Sequence, residues 1–180
     1  MQAALSAARN GQEALFIDAE GTFRPERVEG IARARGWDVE GVLERIVYLR
    51  VDSSAEQNEA VREMAKRKAT AHCRLVVVDT LTRNFSLDLP GSANMPGRQQ
   101  ALDVHLSEMA RDAYINERAY VLTNRVTFGP GDTEVGVGGR TVTQLLHDSI
   151  LLRKEGDIVR ARSVGREKEC ELSIGAAGID

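Results

Sequence analysis

Leu75-Val76-Val77-Val78 runs directly into Asp79 and Thr80, and no other stretch restricts the fold as much. Four consecutive apolar, mostly β-branched residues leave no polar face. Such a run fits a strand covered on both sides, as in a parallel sheet between two helical layers. Two further segments repeat the design: Ala14-Leu15-Phe16-Ile17 ahead of Asp18-Ala19-Glu20, and Ala119-Tyr120-Val121-Leu122 ahead of Thr123-Asn124. Each brings a polar group to the carboxyl end of a buried run. Open α/β sheets bind ligands at that edge, so Glu20, Asp79 and Asn124 are expected around one crevice. Two acids and an amide there suit a metal–phosphate ligand. A single acid at a strand end is an ordinary feature of α/β proteins; the three together, with their neighbours, carry the reading.

The chain has 180 residues, enough for one domain with a sizeable core and too few for two comfortable ones. Hydrophobic residues make up 42% and charged residues 28%, an ordinary soluble balance with no signature of disorder. A net charge of -3 provides no global attraction to nucleic acid, so any such contact must come from local clusters. No apolar run approaches the ~20 residues of a membrane span. Met1 opens onto small and polar residues rather than a signal peptide, and a cytoplasmic protein is expected. Cys73 and Cys170 stand far apart and read as reduced thiols. His72, His105 and His147 are scattered, and His72 beside Cys73 reads as structural rather than as a metal pair.

In chain order, Met1 to Asn10 is rich in helix formers, with Gly11 placed to end the helix. Pro25 suits a first helical position and opens a helix that buries Val28, Ile31 and Ala32. A short helix over Val39 to Arg45 precedes a strand over Ile46 to Val51. Ser54-Ala55-Glu56-Gln57 has the spacing of a capping box, predicting a helix from there to about Ala71 with Ala60, Met64 and Lys68 on one stripe. Thr82 to Pro96 shows no helical or strand period and predicts a long functional loop. Gly97 to Glu117 reads as helix with Leu102, Leu106 and Met109 inward. The glycine-rich stretch Arg125 to Gly139 predicts a second, mobile loop. A short helix near Thr141 to Leu145, a strand at Ser149 to Arg153 and two antiparallel strands near Ile158 to Val164 and Cys170 to Ile174 complete the chain.

The string Ile17-Asp18-Ala19-Glu20-Gly21-Thr22-Phe23-Arg24-Pro25-Glu26-Arg27 resembles the IDTEGTFRPER segment of the RecA-type recombinases of archaea and eukaryotes, the RadA family. Five further segments agree in order and spacing. Ser53-Ser54-Ala55-Glu56-Gln57 is similar to the family's polar helix start, and Val76-Val77-Val78-Asp79-Thr80-Leu81-Thr82 to its Walker B strand. Arg98-Gln99-Gln100 resembles the RQQ after its first DNA loop, Thr123-Asn124 its TNQ strand end, and Gly138-Gly139 the glycine pair after its second DNA loop. The compact second loop and the segment Gly139 to Leu152 look more like the shorter RadB-type paralogue.

The resemblance implies an α/β fold: a mostly parallel twisted sheet with helices on both faces and a small antiparallel C-terminal part. It implies one RecA-like ATPase core over residues 1–180 that uses ATP and Mg²⁺. Glu20 then corresponds to the general base that orients water on the γ-phosphate, and Asp79 to the acid that holds Mg²⁺ through its water shell. Asn124, with Arg125 beside it, takes the place of the amide that senses the γ-phosphate and signals to the next loop. Arg83, Arg98, Arg125 and Arg140 become candidate phosphate contacts for single-stranded DNA, and Phe128 a candidate base-stacking ring. A homo-oligomer, or partnership with a RadA-type recombinase, is implied as well.

The sequence also departs from the family. No GxxxxGK[ST] occurs, and neither Gly-Lys-Ser nor Gly-Lys-Thr is present anywhere. Without that backbone nest and its lysine, a triphosphate site lacks most of its binding energy. The helix at Met1 matches the one that normally follows this cradle. The expectation is a core truncated at its amino-terminal end, which alone binds ATP weakly or not at all. The competing explanation is a paralogue that has discarded catalysis and serves as a binding module for a recombinase. A RecA-fold ATPase with a signalling task is a third reading, disfavoured by Arg98-Gln99-Gln100. Arg125 replaces the family's glutamine, and its guanidinium is long enough for a nucleic-acid phosphate or an acid on a neighbouring subunit. The first DNA loop carries Asp88 where positive charge would strengthen binding.

Overall fold

The structure, a computed structural model, describes residues 1–66, 72–128, 134–156, 158–166 and 168–179. Strands β1 (Glu13–Asp18), β2 (Ile46–Arg50), β3 (Cys73–Asp79) and β4 (Ala119–Leu122) form one parallel sheet in the order β2-β1-β3-β4. Phe16 stands beside Tyr48 and Val77, and Val77 beside Val121; the β1–β3 register shifts once, between Glu13 and Ala14, and is regular from there to Asp18 and Asp79. Successive side chains alternate between faces, and both faces of the two central strands, β1 and β3, are covered. Phe16, Leu75 and Val77 pack with Ala4 and Ala7 of α1 (Gln2–Arg9). Leu15, Ile17, Val76 and Val78 pack with Val61 of α4 (Ser54–Lys66) and with Leu102, Leu106 and Met109 of α6 (Met95–Asn116). That two-sided cover is why β1 and β3 read as unbroken apolar runs; β4, expected as a third buried run, is instead an edge strand among the described residues, with Ala119 and Val121 exposed.

Behind α1 lie α2 (Pro25–Ala34) and α3 (Val39–Leu43), which bury Val28, Ile31, Ala32 and Val42. Pro25 occupies the first turn of α2, where its missing N–H is not needed. Three antiparallel strands follow α7 (Gly139–Gln144): β7 (Ile150–Glu155), β8 (Ile158–Ser163) and β9 (Glu169–Leu172). The terminal hairpin β10 (Ile174–Gly175) and β11 (Gly178–Ile179) is tied back to α1 and α2. Gln2 exchanges two hydrogen bonds with the backbone of Ile179, and Arg27 and Arg35 donate to the carbonyls of Gly175 and Ala177. Among the described residues no helix is long and apolar enough to cross a membrane.

Several local expectations are corrected. The Thr82–Pro96 segment is not irregular throughout: α5 (Arg83–Asp88) occupies its first half, because Phe85 is fully buried against the His105 ring. A helix of six residues is too short to show a 3.6-residue period. The cap of α4 is shifted by one residue. Ser53 Oγ accepts from the Glu56 N–H, and the Glu56 carboxylate accepts from the Asp52 N–H. Gln57 is thereby released for the core. The expected end of α4 near Ala71, with Lys68, lies outside the described residues. The Arg125–Gly139 stretch contains a hairpin of β5 (Val126–Phe128) and β6 (Glu134–Gly136) rather than only a loop.

One buried polar cluster joins the other end of the sheet. Arg118 donates to both oxygens of Asp112 at 2.7 and 2.9 Å, and to the carbonyls of Cys73 and Met64. The Tyr120 hydroxyl and the Asn116 amide also donate to Asp112, each at 2.6 Å. Burial, and then the Asp112 carboxylate, push the Tyr120 phenol far above its ordinary range. The cluster fastens α6 to the starts of β3 and β4.

Candidate functional site

β1 ends on Asp18, whose side chain has no solvent exposure. Its Oδ1 accepts the N–H groups of Glu20, Gly21 and Thr22, and its Oδ2 that of Phe23. Burial disfavours the anion, but the N–H groups of Phe23, Gly21 and Thr22, with Arg50 nearby, outweigh it and hold the carboxyl below its usual range. Gly21 stands at φ +74°, and a Cβ there would meet the Arg50 guanidinium at 2.7 Å. The turn therefore needs both the anion and the glycine. Its result is a fixed backbone under Glu20, whose N–H and that of Ala19 donate to the Asp79 carbonyl at 3.2 and 2.7 Å.

The Glu20 carboxylate is largely enclosed, its side chain 15% exposed. Thr80 Oγ1 donates to Oε1 at 2.8 Å, and Arg125 Nη2 lies 2.9 Å from both oxygens. Arg83 Nε approaches Oε2 at 3.4 Å while its Nη1 donates to the Ala19 carbonyl. Arg125 thus reaches an acid of its own chain, where the sequence pointed outward to a phosphate or a neighbouring subunit.

Asp79, at the carboxyl end of β3, accepts a short hydrogen bond from Thr123 Oγ1. Leu81 N–H donates to the Thr123 carbonyl, and Thr82 Oγ1 donates to Asn124 Oδ1 at 2.7 Å. Asn124 Nδ2 donates to the Val137 carbonyl at 2.7 Å, and Oδ1 also accepts the Arg125 N–H. Asn124 is therefore the fastening between the strand ends and the β5–β6 hairpin. Gly138, at φ +92°, closes the hairpin's return, where a Cβ would strike Val142. Glu20, Asp79 and Asn124 share one rim. Among the described residues no three His, Cys, Asp or Glu side chains gather as a metal cage. A lone strand-end carboxylate nevertheless fits Mg²⁺ held mainly by water and nucleotide phosphates.

Beneath the rim lies a polar group that the sequence did not disclose. Gln57 donates to the Leu81 carbonyl at 3.0 Å and accepts from Asn84, which also donates to the carbonyls of Val51 and Ser53. The Gln57 amide contacts His105 Nε2 at 3.3 Å. Burial, with the Arg62 charge next, lowers the His105 pKa to about 4. An unfolded histidine titrates near 6.5, so between these values the unfolded chain holds more protons. Stability from this site is complete above about pH 6.5 and is lost as pH falls toward 4. It amounts to at most about 3 kcal/mol. The advantage of the native protein over His105→Gln in urea denaturation should shrink between pH 7 and pH 4.5. A difference independent of pH would contradict a buried neutral imidazole.

Of the remaining candidates only Arg83 is brought to the rim; the structure does not gather the others as described side chains around it. Arg98 donates to the Leu89 carbonyl at 2.8 Å from the start of α6. Arg83 is turned toward Glu20 and Ala19. Phe128 lies on β5 and Arg140 on α7, and their side chains fall outside the described part of the structure. Asp18 and Thr80 are the site residues that sequence reasoning overlooked; the available signal was their position beside the two singled-out acids.

A parallel sheet that carries these groups at its carboxyl edge, followed by small antiparallel sheets, defines a RecA-like core. A family model described as Rad51 matches residues 1–180, and the chain belongs to the Rad51 family. It is 36% identical over 177 residues to the meiotic recombination protein DLH1 of Candida albicans, covering 91% of this chain and 55% of that protein. The same identity over 177 residues relates it to the meiotic recombination protein DMC1 of Saccharomyces cerevisiae, covering 91% and 53%. The DNA repair and recombination protein RadA of Ignicoccus hospitalis is 34% identical over 145 residues, covering 78% and 44%. The chain spans about half the length of these curated relatives.

Proposed function

We propose that this chain is the core of a DNA-dependent recombination or repair ATPase. The carrying observation is the convergence of Glu20, Asp79 and Asn124 on one rim, with the β5–β6 hairpin hung from Asn124. Bound MgATP would supply the reacting phosphoryl group and the ion that neutralises its charge. Glu20, held by the Asp18 turn, orients and deprotonates the attacking water. Asp79 positions the ion's water shell. Asn124 couples occupancy of the rim to the hairpin. The 180 residues contain no GxxxxGK[ST], so ATP affinity within this segment alone is expected to be weak. The compact second loop supports a place near the RadB-type branch of the family.

DNA contact is assigned to Arg98, Arg125 and Arg140, with Phe128 stacking on a base. Assembly is supported by an apolar groove between the edge strand β2 and α4, lined by Leu15, Val47, Leu49, Ala60 and Met64. Val47 and Leu49 are exposed there, and among the described residues β2 is an edge strand of the parallel sheet. A second copy or a RadA-type recombinase is the proposed occupant. The same groove favours a second reading, a non-catalytic module that docks on a recombinase. Anisotropy titration with a dT oligonucleotide tests the DNA assignment. Replacing Arg125 and Arg140 by Ala should weaken binding and flatten the salt dependence by about 1.4 log units per log unit of salt, ~0.7 for each lost phosphate contact. Unchanged affinity and slope would remove both residues from the DNA surface.

A further inference from the structure

Glu20 is the proposed base, yet its oxygens are already engaged. A carboxylate offers about four lone-pair sites. Thr80 and Arg125 occupy Oε1, while Arg125 and the Arg83 guanidinium face Oε2. A carboxylate so surrounded has little acceptor capacity left for a water. The two arginines differ in how firmly they are placed. Arg83 is 30% exposed and anchored by its bond to the Ala19 carbonyl, so it stays. Arg125 is 66% exposed, and its side chain crosses from the foot of the hairpin to Glu20. The arginine side of this pair is open to solvent, so salt and a competing anion can reach it, unlike the enclosed Arg83 contact.

The backbone of Arg125 is coupled to the hairpin at both ends. Its N–H donates to Asn124 Oδ1, and its carbonyl accepts the Val137 N–H at 2.9 Å. A shift of the hairpin therefore shifts this guanidinium. Arginine is also well suited to exchange a carboxylate for a phosphate, since its planar fork fits both.

We propose that Arg125 is a positioning residue that latches Glu20 in the resting state and is drawn off by a phosphate of single-stranded nucleic acid, freeing Glu20 for water. The proposal rests on the reading of Glu20 as the base of a DNA-dependent ATPase. It assigns the DNA stimulation of hydrolysis to competition between two anions for one guanidinium, with no change required in the nucleotide pocket.

The test uses the longest natural form that carries this segment, assayed for MgATP hydrolysis with and without a dT oligonucleotide. Arg125→Gln should raise DNA-free hydrolysis about fivefold and reduce the stimulation ratio by the same factor, as expected for loss of a modest coupling between two sites. Arg125→Lys, which keeps a charge without the fork, should retain part of the repression. Raising NaCl should increase DNA-free hydrolysis by the native protein but not by Arg125→Gln, because screening loosens the pair. If the native protein hydrolyses ATP with DNA stimulation while Arg125→Gln keeps the same ratio and basal rate, the latch is wrong and the ATPase reading stands. Loss of hydrolysis by Arg125→Gln in both conditions would make Arg125 a participant in the chemistry and also overturn the latch. A native protein with no DNA-stimulated hydrolysis would remove both proposals.

Discussion

Replacing Glu20 by Gln in the longest natural form is expected to lower MgATP hydrolysis about 10²- to 10⁴-fold, the usual contribution of a positioned base. Nucleotide affinity should change only a few fold, since Glu20 is assigned to water rather than to the nucleotide. The side chain keeps its shape, and Thr80 can still donate to the remaining oxygen. The lost group is the anion, which is what accepts a proton and attracts Arg83 and Arg125. Folding should be little affected, because the turn is organised by Asp18 through four backbone N–H groups and not by Glu20. Hydrolysis at the native rate, in a variant that still binds nucleotide, would take Glu20 out of the chemistry, whereas no hydrolysis by the native protein itself would favour the docking-module reading.

The second large effect is structural. Asp112→Ala is expected to destabilise the fold by about 3–5 kcal/mol, because it leaves the Arg118 guanidinium buried without its counter-charge. The Arg118 side chain is 2% exposed and that of Asp112 0%, so water cannot replace the lost partner. Tyr120 and Asn116 lose their acceptor in the same step. A domain of this size is stable by only about 5–15 kcal/mol, so unfolded protein should become detectable under mild denaturant. Replacing both members, Asp112→Leu with Arg118→Met, should be less damaging than the single change, since no charge is then stranded. Urea unfolding checks both variants. A shift below about 1 kcal/mol for Asp112→Ala would show that the pair is not buried as described.

What the sequence disclosed follows from local chemistry. Unbroken apolar runs at Leu15–Ile17 and Leu75–Val78 announce strands covered on both faces, and the polar residues after them announce the edge on which Glu20, Asp79 and Asn124 meet. The buried stripe of α6 was equally plain at Leu102, Leu106 and Met109. Polar contacts between distant residues were not. Gln57, Asn84 and His105 are drawn from three helices, and nothing in the neighbourhood of each distinguishes it from a solvated side chain. Asp112, Arg118 and Tyr120 straddle a helix–strand junction that the sequence placed within a residue, at Glu117 and Ala119, but nothing in it showed that their side chains meet. The hairpin between Arg125 and Gly139 was not legible because it is set by pairing of Val126 with Gly136, a non-local property; residues 129–133 of the expected mobile loop lie outside the described residues. Arg125 and Glu20 lie 105 residues apart, and only the parallel order of β1, β3 and β4 brings them together.

Crystallography of the longest natural form with Mg²⁺, a non-hydrolysable ATP analogue and a dT oligonucleotide places the nucleotide directly. The expected electron density has the γ-phosphate one water away from Glu20, and Mg²⁺ joined to Asp79 through its hydration shell. Nucleotide bound away from the carboxyl ends of β1 and β3, with Glu20 and Asp79 facing only protein, would contradict the assignment of this edge as the catalytic centre.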